Sequence, residues 1–105
     1  TKLERALVDI TVRPTYAGGV FNVLEAYRGA RGRVSVPTLV ATLRKLAYAY
    51  PYHQAVGFYM QRAGYAEDQL QRLKSLGTHF DFYLTNQIPN PRLDPEWRVY
   101  YPDGL

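Results

Sequence analysis

The chain has no cysteine among its 105 residues, which excludes disulfides, thiolate catalysis and thiolate metal ligation together. It also lacks any apolar run near the ~20 residues that a membrane-spanning helix needs. The stretch from Thr1 to Gly19 has neither the basic start nor the apolar centre of a signal peptide. No serine lies in a nucleophile-elbow sequence, and no glycine pattern of the phosphate-cradling kind occurs. An initiator methionine is missing too. Thr1 with Glu4 forms a capping-box pattern at the first residue, so the chain reads as a domain belonging to a longer protein.

What remains has ordinary globular proportions. Hydrophobic residues make up 47% and charged residues 21%, values that suggest neither disorder nor a membrane protein. One self-folding domain over residues 1–105 is expected, soluble and cytoplasmic, with no cofactor. The net charge of +4 is unevenly placed: residues 1–50 hold eight Lys/Arg against three Asp/Glu, and residues 51–105 hold five against six. A basic first half suits a phosphate backbone or an acidic protein surface, and it equally suits plain solvation.

Helical periodicity dominates as far as residue 76. Leu3, Ala6, Leu7 and Ile10 form an apolar stripe on a first helix from Lys2 to about Val12, ended by Pro14. Val20, Val23, Leu24 and Tyr27 mark a second, from Val20 to Arg28. Ser35 caps a third, in which Pro37 is tolerated in the first turn and the period continues to about Tyr48. Pro51 breaks it. A fourth helix, Tyr52 to Ala63, has Ala55, Val56, Tyr59, Met60 and Ala63 inward and Gly64 as its stop, and a fifth spans Ala66 to Leu76.

From Thr78 the period drops to two, with Phe80, Phe82 and Leu84 pointing one way and His79, Asp81 and Tyr83 the other. Trp97, Val99 and Tyr101 alternate with Arg98 and Tyr100 in a second strand, joined to the first by the proline-rich stretch Asn86 to Pro95. The expected fold is therefore α+β: about five helices and a small antiparallel two-stranded layer near the C-terminus.

Among candidate sites, Arg28, Arg31, Arg33, Arg44 and Lys45 are the densest basic group, placed about the glycine-containing loop between the second and third helices. Such side chains can track a nucleic-acid backbone. Tyr48, Tyr50 and Tyr52 cluster around Pro51 as a candidate partner surface, since tyrosine combines a large apolar face with a hydroxyl. The third and fourth helices also invite a helix-turn-helix reading, against which stands the aromatic content of the fourth. Asp9, His79 and Asp81 are the residues a small hydrolase would use. Metal-ligand spacing is absent, and Arg5 with Asp9, or Asp81 with Arg98, make ordinary ion pairs.

The segments ERALVDITVRPTYAGGVFNVLEAY, VSVPTLVATLRKL, YPYHQAVGFYMQRAGY, FDFYL and DPEWRVYYP together resemble the C-terminal domain of AbiEi-type transcriptional regulators, the antitoxins of abortive-infection toxin–antitoxin systems in bacteria and archaea. None of the shared segments is a catalytic motif. In that family an N-terminal winged helix-turn-helix domain binds the operon's promoter, and the C-terminal domain is associated with neutralising a nucleotidyltransferase-like toxin. The resemblance implies a non-enzymatic effector domain whose partners are that toxin and, within the full-length protein, promoter DNA. The winged helix itself lies outside this chain. A stand-alone basic nucleic-acid-binding module is the alternative.

Overall fold

A computed structural model describes residues 2–46 and 50–105. Five α-helices, α1 (Lys2–Val12), α2 (Val20–Ala30), α3 (Val36–Leu46), α4 (Tyr52–Arg62) and α5 (Glu67–Lys74), precede three short strands, β1 (Phe82–Tyr83), β2 (Arg92–Asp94) and β3 (Val99–Tyr101). The α+β class is as expected. Thr1 and Tyr48 lie outside the described residues, and with them the Thr1 cap and the last expected turn of α3.

The organising element is α4, which packs against every other α-helix and against β1 and β3. Seven consecutive residues, Gln54 to Met60, are buried, the pattern of a helix enclosed on all sides rather than along one stripe. Gln54, at 1% exposure, is part of that core. Its amide donates to the carbonyls of Phe80 and Trp97, at 2.7 Å each, and so ties the helix to two points of the sheet region. A helix surrounded in this way cannot enter a DNA groove, which removes the helix-turn-helix reading.

On α1 the buried face is Glu4, Leu7, Val8 and Thr11, rotated from the expected stripe, and Ala6 is exposed. Two polar side chains account for the rotation. Glu4 accepts the backbone N–H of Ser35 at 2.9 Å, a role that a capping box normally gives to the residue three positions into the same helix. Here it comes from a different helix. The contact holds the Glu4 carboxyl below its ordinary value. The Thr11 hydroxyl lies 2.7 Å from both the Leu7 carbonyl and the Tyr27 hydroxyl. Its single proton goes to Leu7, so Tyr27 is the donor between the two hydroxyls.

The strand layer departs from expectation. Three strands, not two, form a mixed sheet in the order β1-β3-β2; β1 runs parallel to β3, and β2 antiparallel to it. The proline-rich connection supplies the extra strand between Pro91 and Pro95, and the Asp94 carboxylate accepts the Glu96 N–H at 2.9 Å to turn the chain into β3. That turn places Trp97 off the strand. Its ring lies on Gly57 of α4, where an added Cβ would come 2.2 Å from a ring carbon. Its indole N–H donates to the Gln61 side chain.

Three tyrosines fill the space between α2 and α4. Tyr27 and Tyr59 stack at 5.2 Å, Tyr65 meets Tyr27 edge-on, and the Tyr65 hydroxyl donates to the Tyr27 carbonyl at 2.8 Å. Burial pushes all three phenols upward, Tyr65 to about 12, where Arg31 and Arg33 pull against the rise.

Two outcomes follow from this packing. Gly57→Ala gains about 1 kcal/mol of helix propensity but forces overpacking that costs about 3 kcal/mol, so denaturant unfolding should show net destabilisation of roughly 2 kcal/mol. Gly29→Ala, with nothing within 4 Å of its added Cβ, should instead stabilise by about 1 kcal/mol. A raised folded-state pKa means that the neutral tyrosines' contribution to stability is complete below the unfolded value of about 10 and disappears as pH rises through the folded one. Stability should therefore fall between about pH 10 and pH 12, and Tyr65 should ionise together with the loss of near-ultraviolet circular dichroism. Ionisation of all ten tyrosines below that loss would contradict the burial.

Candidate partner-binding groove

Pro51 opens α4 and brings Tyr50 and Tyr52 against β1. Tyr52 meets buried Phe82 edge-on at 5.3 Å, and Tyr50 meets Tyr52 edge-on at 6.3 Å. The end of α1 and a 3₁₀ turn, Pro14–Ala17, an element not expected from the sequence, contribute lining to the same concavity. It is an open groove of about 790 Å³, lined also by the run from Phe80 to Asn86. A smaller hollow of about 220 Å³ adjoins it across Tyr50, Pro51 and Phe80 and is lined by His53 and His79.

The groove gathers three exposed aromatic side chains. Tyr50 is 69% exposed, Phe80 67% and Tyr83 54%, half of the large apolar side chains that stand clear of the core among the described residues. Tyr83 is held rigid by stacking on Tyr100 at 4.4 Å. Phe80 is a correction: expected to point the same way as Phe82 and Leu84, it is exposed while those two are buried, because regular strand pairing begins only at Phe82. The alternation did place Tyr83 on the outer face. The missed signal was the end of the strand, which two residues of pairing leave too short to carry Phe80 to the core side.

Charge in the groove comes from Arg13 and Asp81. Asp81 is paired with Arg98 at 3.0 Å, as expected, and Arg98 also donates to the His79 carbonyl at 2.9 Å. Arg13 sits 5.8 Å from the ring centre of Tyr16 and has no carboxylate partner among the described residues.

The basic candidates do not act alike. Arg28 pairs with Glu25 on its own helix. Arg31 donates to the Ala63 carbonyl at 3.0 Å and Arg33 to the Gly29 carbonyl at 3.1 Å, so these two satisfy helix ends. Arg44 and Lys45 occupy the last turn of α3 with no ion pair among the described residues. Arg44 shares a hollow of about 420 Å³ with Arg72 and Ser75. Tyr50 and Tyr52 belong to the groove, on another part of the surface.

The hydrolase candidates are not brought together as a catalytic set. Asp9 is held by Arg5 at 3.2 Å and Asp81 by Arg98. Among the described residues no group of three or more His, Asp or Glu side chains could hold a metal ion, and no helix is long and apolar enough to cross a membrane. Comparison with protein-family models, curated proteins and solved structures finds no match to this chain.

The two kinds of arginine separate by mutation. Arg31→Ala removes the donor at the end of α4 and should lower stability by about 1 kcal/mol. Arg44→Ala should stay within about 0.5 kcal/mol. Denaturant titration measures both, and equal effects would refute the division.

Proposed function

We propose that this domain is a non-catalytic protein-binding module, the effector part of an AbiEi-like antitoxin and transcriptional regulator, and that its groove engages a nucleotidyltransferase-like toxin. The observation that carries the reading is the trio Tyr50, Phe80 and Tyr83, exposed together along one groove whose walls are built from the packed ends of α1 and α4. Rigid aromatic side chains beside a concave surface are the usual anchors of protein interfaces, because they desolvate large areas while losing little rotamer freedom. The resemblance of the sequence supplies the identity of the partner. Promoter binding belongs, on this reading, to a winged helix elsewhere in the parent protein.

A second reading has its own support. Arg44 and Lys45, without ion pairs among the described residues, and Arg72, which lines the same hollow as Arg44, form a small basic surface suited to a nucleic-acid backbone.

Co-expression with the toxin encoded beside it separates these readings. The chain should restore growth, and Tyr50→Ser combined with Phe80→Ser should abolish the rescue while leaving the thermal unfolding midpoint nearly unchanged. Full rescue by that double variant would remove the groove from the mechanism. Should the chain bind duplex DNA with a log-log salt slope that falls by about one unit for each of Arg44→Ala and Lys45→Ala, the basic surface would be the working one.

A further inference from the structure

We infer that the outer edge of β1 takes up an extended segment of the partner protein as an additional strand, with an acidic side chain of that segment set against Arg13. This deepens the groove reading and rests on it.

The backbone supplies the first part of the argument. Phe82 donates its N–H to Arg98 at 2.9 Å and Leu84 to Tyr100 at 3.1 Å, so both residues spend their amides on β3. Strand geometry alternates, and Tyr83 between them turns its N–H and C=O to the opposite side. Among the described residues no strand lies there, since β1 is the end of the order β1-β3-β2. The other edge of the sheet, β2, is flanked closely by Pro91 and Pro95, residues that discourage pairing at an edge. From Thr78 to Ile88 there is no proline. The sheet thus has one guarded edge and one receptive edge.

Space is the second part. No Cα of β1 comes within 8 Å of a Cα in α1 or in the Pro14–Ala17 turn, although residues of all three line the same groove. An added strand stands about 4.8 Å from its neighbour in the hydrogen-bonding direction, so neither element occupies the position that such a strand would take beside β1. Two bonds to a short edge give little affinity alone. The exposed rings of Tyr50, Phe80 and Tyr83 supply contacts for the side chains of such a segment, the division of labour typical of strand addition.

Charge chooses the occupant. Asp81 is neutralised by Arg98, which leaves Arg13 as the uncompensated charge among the described residues of the groove. A segment with Asp or Glu facing Arg13 is favoured over one with Lys by both attraction and avoided repulsion.

The test uses the isotope-labelled chain and a short acetylated peptide of alternating Val and Thr with one central Glu. Three companions complete the set: the same peptide with a central Lys, and two versions of the Glu peptide N-methylated at alternate sets of amides. The Glu peptide should bind about 2–5-fold more tightly than the Lys peptide, and Arg13→Gln should erase the difference. One methylated version should retain binding and the other lose about tenfold, with the largest amide shift at Tyr83. Equal binding of the two methylated versions, no dependence on Arg13, or no binding of any peptide at roughly 1 mM would overturn the inference. Its failure is distinct from failure of the groove reading: loss of toxin rescue in the Tyr50→Ser, Phe80→Ser variant, with no methylation pattern, retires strand addition and keeps the groove. Full rescue by that variant retires the groove itself.

Discussion

The contact between the Trp97 ring and Gly57 is the constraint on which the rest of the molecule is arranged. An indole can lie directly on a helix backbone only where a side chain is missing, and here the missing side chain sits in the middle of the most buried helix. The partners of Trp97 fix it from three directions. Gln61 takes its N–H, Gln54 donates to its carbonyl, and the Lys74 ammonium lies 5.6 Å from its ring centre. Lys74 is in turn paired with Glu96, which also accepts from Gln61 at 2.6 Å. The closed circuit joins α4, α5 and the turn before β3, so the small sheet is positioned by one side chain more than by its own ladder.

A second theme is that long polar side chains finish helices they do not belong to. Glu4 of α1 serves the start of α3, and Arg31 after α2 serves the end of α4. Arg62 holds the C-terminal segment instead of a helix end: it donates to the Leu105 carbonyl at 3.0 Å and lies against the rings of Phe58 and Tyr101 at 4.9 and 4.8 Å. A charge-assisted hydrogen bond to a helix terminus is stronger than an exposed ion pair, and it explains why part of the basic charge in the sequence is not surface free for a ligand. Net charge alone misjudges this. The basic group suggested by composition divides into residues that hold the fold and residues, Arg44 and Lys45, that do not.

The helices were largely legible in the sequence because their starts and stops are written in local chemistry: Pro14 after α1, Ser35 before α3, Gly64 with its positive φ of 84° after α4. The rotation of α1 was not, since it depends on Ser35 and Tyr27, partners remote in the chain. The sheet order was legible least. Alternation reports which residues share a face, and it carries no information on direction or neighbour, so Phe82 and Val99 could be read as strand residues while their parallel register stayed hidden. Of the candidate site, Tyr50 and Tyr52 were found through their spacing about Pro51. Phe80 was hidden by its place in a series expected to share one face with Phe82 and Leu84, and Arg13 by the unexpected 3₁₀ turn beside it.

The sheet order has a consequence for synthesis on the ribosome. β3 lies between β1 and β2, yet it is made last, and β1 has no hydrogen-bonding neighbour until residues 99–101 exist. The helices can assemble as they emerge, but the face of α4 around Gly57 stays uncovered until Trp97 arrives. During that interval the nascent chain presents a greasy slot and an unpaired β-segment at the same time. Neither can close before residues 97–101 exist, so the groove beside β1 is completed only after the β2–β3 hairpin has been made.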